Sequence, residues 1–175
     1  MFKKTWSSHV GVIVVAEGRV MLFESTSIRG GVKGVRLVPV SEAIPFYDGD
    51  VMVRKLKTNR DVYFTSTINR FVTSTINKKY ESSVFELMGS AWNGWFIGHN
   101  RPDYTTYFCS ELVAHLYQRL MLIPDDVITN EMTPEDFRLG GKVDKLMAKM
   151  PEASCLGVEI TITNANDQKG GVVRT

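Results

Sequence analysis

His9 to Val15 (HVGVIVV) is a nearly unbroken apolar run rich in β-branched residues, Glu17 to Arg19 (EGR) is a turn, and Val20 to Ser25 (VMLFES) is a second such run. Two runs of strand character joined by a short glycine-containing turn predict an antiparallel hairpin. That hairpin rules out an all-helical fold. It also brings the beginning of the first run beside the end of the second, so His9 and Glu24 fall close together. After the Gly-rich RGGVKG, two further strands are expected at 35–40 (VRLVPV) and 50–56 (DVMVRKL), separated by the turn-forming YDGD.

The middle of the chain changes period. Ile68, Phe71, Val72 and Ile76 recur at helical spacing, as do Val84, Leu87, Met88 and Trp92. Residues 93–103 (NGWFIGHNRPD) read as a loop. The following CSELVAHLYQRLML reads as a helix with Leu112, Val113, Leu116 and Leu120 as its buried stripe. Thr133 and Pro134 signal a further helix start, and 157–163 (GVEITIT) a last strand. TSTIN occurs at 65–69 and again at 73–77, far too short an echo for a structural repeat. The fold class expected is α+β, with residues 1–165 as one domain and 166–175 as a polar, flexible tail.

Composition narrows the function classes. Lys and Arg number 21 against 19 Asp and Glu, a balance that gives no electrostatic reason for a nucleic-acid partner. Two cysteines, Cys109 and Cys155, do not make a secreted disulfide scaffold, so a reducing compartment is expected. MFKKTW is not followed by a small-residue cleavage site, and no apolar run reaches the roughly 20 residues of a spanning helix. The expectation is a soluble protein, in contact with membranes only peripherally.

Cys109 falls at the expected loop-to-helix junction, where unpaired amides and the positive end of the helix dipole favour a thiolate. A cysteine nucleophile needs a base, and His9 can point from the start of its strand toward a helix end. Glu24 is placed to orient that ring. Taken singly, each has a plainer reading: most buried cysteines are small hydrophobes, and Glu24 is an ordinary strand-end acid. The other histidines fit less well. His115 lies six residues past Cys109, well round the helix at roughly 100° per residue, and His99 sits in a loop that is a loose mounting for a base. No CxxC or HxxxH spacing points to a metal site.

SHVGVIV, the strand ending in Glu24, GVRLVPVSEAI, and the late YFCSELVAHLYQRLMLI and MTPEDF resemble the circularly permuted papain-like superfamily. The resemblance is to its NlpC-type, YiiX-like group, related to the lecithin retinol acyltransferase-like proteins, and it spans residues 7 to 140. Histidine before cysteine, the reverse of papain's order, is its most specific part. The resemblance implies an antiparallel sheet packed on helices with the nucleophile at a helix N-terminus. It puts the nucleophile on Cys109, the base on His9 and the orienting carboxylate on Glu24, with oxyanion or substrate contacts from amides near Cys109, Ser110 and Tyr107. It implies no cofactor and no metal. Members carry a GD-type strand ahead of this histidine, where eight residues stand here, and a glycine after the cysteine helix, where Met121 to Ile123 stand.

The function implied is a thiol hydrolase acting through an acyl-enzyme on an amide bond: a peptide or isopeptide such as cell-wall fragments, or a lipid-like acyl amide or ester. With neither a signal peptide nor a spanning segment seen, a cytoplasmic or virus- or phage-associated protein is expected. The alternatives are an acyltransferase of the lecithin retinol acyltransferase-like type, a non-catalytic binding module, and a virion or phage structural module retaining the fold.

Overall fold

A computed structural model describes residues 7–26, 34–45, 47, 49–76 and 104–162, with 104–108 described in their backbone alone. In chain order the elements are β1 (Val12–Ala16), β2 (Arg19–Thr26), β3 (Gly34–Pro39), a single helical turn α1 (Val40–Ala43), β4 (Val51–Lys57), α2 (Val62–Thr75), α3 (Tyr104–Arg119), α4 (Lys142–Met147) and β5 (Cys155–Ile162). Short 3-10 turns at Thr129–Glu131 and Pro134–Phe137 precede α4. The class is α+β with antiparallel sheets. The expected helix over 84–92, the loop at 93–103 with His99, and the tail at 166–175 lie outside the described residues.

The hairpin closes through Glu17 and Gly18, both at positive φ (51° and 72°), between the paired residues Ala16 and Arg19. Such a two-residue turn matches the right-handed twist of its strands. β3 adds on the far side of β2, giving the order β1-β2-β3 with β2 in the centre. β4 does not extend this sheet. It pairs with β5 in a separate two-stranded sheet. Arg54 of β4 locks that second unit together: its guanidinium donates to the Gly157 and Phe137 carbonyls and to both oxygens of Asp144 on α4.

α3 is the hub. Leu112 packs with Val14, Phe23 and Val35 of the first sheet and Val72 of α2. Val113, Leu116, Tyr117 and Leu120 pack with Leu122, Ile123, Met132, Phe137, Val143 and Met147. The stripe expected from the sequence is therefore buried, and a helix covered on two sides has to be largely apolar around its circumference. Phe71 of α2 meets Phe23 edge-to-face at 6.1 Å, tying α2 to the sheet. α2 starts earlier than its apolar spacing suggests, because Asp61 caps it by accepting from the Phe64 amide. The helix expected after Thr133 is only one 3-10 turn, closed by Asp136 accepting from the Thr133 N–H and hydroxyl. Among the described residues, no helix is long and apolar enough to cross a membrane.

Candidate active site

The ladder of β1 begins at Val12, three residues after His9, so His9 lies just ahead of the strand rather than within it. The register pairs Val12 with Phe23, and one step further Gly11 comes level with Glu24. His9 is two residues before Gly11 and so diagonal to Glu24, a spacing that long side chains bridge. They do: His9 Nε2 is 2.7 Å from Glu24 Oε2.

Glu24 has a second partner that the sequence reading missed. Arg36 of β3 stands directly across from it in the register. Its Nε and Nη2 both donate to Glu24 Oε1, at 2.8 and 2.6 Å. The only signal in the sequence was a lone arginine in the otherwise apolar VRLVPV. The Glu24 side chain is 6% exposed, and burial alone would push its carboxyl up. The hydrogen bonds and charges of His9 and Arg36 outweigh that and hold it below the usual carboxylate range.

Burial likewise pulls the His9 ring down, but hydrogen bonds to Cys109 and Glu24, and the negative charge of both, raise it to about 9. His9 thus bridges the other two. With Nε2 engaged by Glu24, Nδ1 is the ring nitrogen left for the sulfur. Comparison with protein families, with curated proteins and with solved structures gives no match to this chain.

Cys109 does not open its helix. α3 begins at Tyr104, which makes Cys109 the sixth residue, past the first turn where the dipole acts. The sequence 104–108 (YTTYF) contains no glycine or proline to stop the helix, so the helix already runs through the expected junction. In α-helical geometry the Cys109 and Ser110 amides point at carbonyls four residues back, inside the helix. The partner of the sulfur is therefore the His9 ring, and the helix end contributes little.

The remaining candidates separate cleanly. Ser110 is fully buried and donates its hydroxyl to the Met132 carbonyl at 2.6 Å, a tie within the core. Tyr107 belongs to α3, and its side chain lies outside the described residues. His115 Nε2 is 2.6 Å from Thr129 Oγ1, a contact away from the Cys109 cluster. Cys109 is buried and Cys155 exposed. Among the described residues, no group of three His, Cys, Asp or Glu side chains is arranged to hold a metal ion.

Proposed function

We propose that the chain is a thiol hydrolase of the permuted papain-like kind, with Cys109 as nucleophile, His9 as base and Glu24 as the residue that orients the ring. One observation carries this reading: the imidazole of His9 is hydrogen-bonded to Cys109 on one side and to Glu24 on the other, across three separate segments of the chain. A histidine that only filled core space would need one such partner.

In the proposed reaction the Cys109 sulfur attacks the carbonyl carbon of an amide. The S–C bond forms as the carbonyl electrons move to oxygen, and collapse of that oxyanion expels the amine, which leaves with the proton held by His9. Neutral His9 then takes a proton from water. The resulting hydroxide attacks the thioester, releasing a carboxylic acid and returning the thiolate and the protonated ring. Glu24 stays ionised throughout and holds the ring in one tautomer. The acyl group belongs to a peptide, an isopeptide or a lipid-like amide or ester; a transferase would differ only in the acceptor replacing water.

The burial of Cys109 favours a second reading, a non-catalytic module in which the cysteine is packing. Alkylation by iodoacetamide, small enough to test a recessed sulfur, separates the two in a Cys155→Ser background. A thiolate paired with imidazolium reacts at a rate that changes little between about pH 8 and 6, whereas an ordinary thiol loses roughly tenfold per pH unit below 8.5. The hydrolase reading requires the flat profile and its loss in His9→Ala. A steep profile, unchanged by His9→Ala, establishes the packing role instead.

A further inference from the structure

We propose that Arg36 is a positioning residue for the Cys109 reaction: by taking Glu24 Oε1 in a two-pronged hydrogen bond, it dedicates Oε2 to His9 and keeps the carboxylate charged. The inference rests on the hydrolase reading above and adds a fourth residue to it.

The geometry assigns one carboxylate oxygen to each neighbour. Arg36 Nε and Nη2 both meet Oε1, and His9 Nε2 meets Oε2. A carboxylate held at one end by a planar fork cannot rotate without breaking two charge-assisted bonds. Glu24 sits on the central strand, with Arg36 opposite it on β3 and His9 approaching from the β1 side. Its mounting is therefore rigid on both flanks, as precise placement of a reacting group requires.

Charge decides what the arginine is for. With Cys109 as the thiolate of the hydrolase reading, the groups alternate across the site: Arg36 positive, Glu24 negative, His9 positive, Cys109 negative. The set is neutral as a whole, and each ion has opposite neighbours. Without Arg36 the row carries a net negative charge around a buried carboxylate. The buried carboxylate then takes up a proton from solvent at a higher pH, and a protonated Glu24 no longer supports the imidazolium that pairs with the sulfur. The groups facing Glu24 are His9 and Arg36; Cys109, on α3, faces His9. An ordinary cross-strand ion pair would stabilise the sheet slightly and do nothing to the sulfur.

The test is the rate of Cys109 alkylation by iodoacetamide over about pH 5 to 8, in Cys155→Ser protein, for Arg36→Met, Arg36→Lys, Glu24→Gln and the Arg36→Met/Glu24→Gln double variant. Arg36→Met should react more slowly toward the acid end of that range, by roughly tenfold at about pH 5, with its acid limb displaced toward neutral pH, since a buried carboxylate that loses its guanidinium rises by about one to three units. Arg36→Lys keeps the charge, loses the fork and disturbs the fold least, and should recover part of the rate. In the Glu24→Gln background, Arg36→Met should have no further effect on the rate, because the route from Arg36 to the sulfur runs through that carboxylate. Rates in Arg36→Met and Arg36→Lys within twofold of the parent at every pH overturn the inference. So does an equal slowing in the Glu24→Gln background, which marks a sheet-stabilising role. In both of those cases His9-dependent alkylation of the parent still stands, whereas its absence in the parent removes the hydrolase reading and Arg36's role with it.

Discussion

Gly11 faces Glu24 across the mouth of the hairpin with no room between them. A methyl group on Gly11 would stand 3.3 Å from Glu24 Cβ, 3.0 Å from the Phe23 carbonyl oxygen and 2.8 Å from Leu22 Cδ1. The leucine tip can swing aside, but the backbone carbonyl cannot without moving β2. Gly11→Ala should therefore cost about 1–3 kcal/mol in denaturant unfolding, as overpacking does. It should also slow Cys109 alkylation by pulling Glu24 away from His9. An unfolding midpoint and alkylation rate equal to the parent's would show that the hairpin mouth is slack.

The site should leave its mark on stability against pH. His9 is raised to about 9 in the folded chain from an ordinary 6.5, so the folded state binds its proton more tightly. The stabilisation is complete below about pH 6.5 and drains away as pH rises toward about 9, amounting to roughly 1–3 kcal/mol. Glu24 is shifted the other way. Its contribution is complete above the ordinary carboxylate range and is lost as pH falls through its lowered folded value. Unfolding free energies measured across this span should show the alkaline decline in the parent and a flatter curve in His9→Gln.

Met121 stands at φ 54° two residues past the end of α3, where the Leu122 amide reaches back to the Tyr117 carbonyl. This is a left-handed helix cap, the place where glycine carries no steric penalty. Met121→Gly should raise stability by about 1 kcal/mol, seen as a higher melting temperature. The alkylation profile of Cys109 should be unchanged, since the substitution is at the opposite end of the helix.

The spare thiol and the spare histidine should be dispensable for the chemistry. Cys155 is exposed on β5, and His115 is occupied with Thr129. His115→Gln should lower stability by about 1 kcal/mol through the altered hydrogen bond. Cys155→Ser should be close to neutral. Loss of His9-dependent alkylation at Cys109 in either variant, with the fold preserved by circular dichroism, would mean that the partners of the sulfur are wrongly chosen.

The part of the site lying within the hairpin was legible because one turn fixes its register. Glu17 and Gly18 can close only a tight loop, so the pairing of Ala16 with Arg19 determines every pair up to Gly11 and Glu24. Arg36 was not legible. The segment between β2 and β3 is too long and too Gly-rich to set a register, and without a register an arginine in a strand has no particular neighbour. The division into two sheets was hidden for a similar reason: β4 finds its partner in β5, almost a hundred residues further on, and alternation within a strand says nothing about which other strand it joins. The helix boundary at Tyr104 was missed because 104–108 carries neither a breaker nor a recognisable cap, whereas the apolar stripe after Cys109 was plain.

His9 and Cys109 are separated by 100 positions in the chain, and what brings them together is the packing of α3 against the hairpin sheet. Contacts of such long range close late, because the loop entropy is paid before they repay it. A growing chain would complete its hairpin well before α3 exists and would carry an inert sulfur until that helix docks. The contact between His9 and Cys109 is in this sense a property of the finished topology. The speed at which refolding protein regains His9-dependent alkylation would time the last act of its folding.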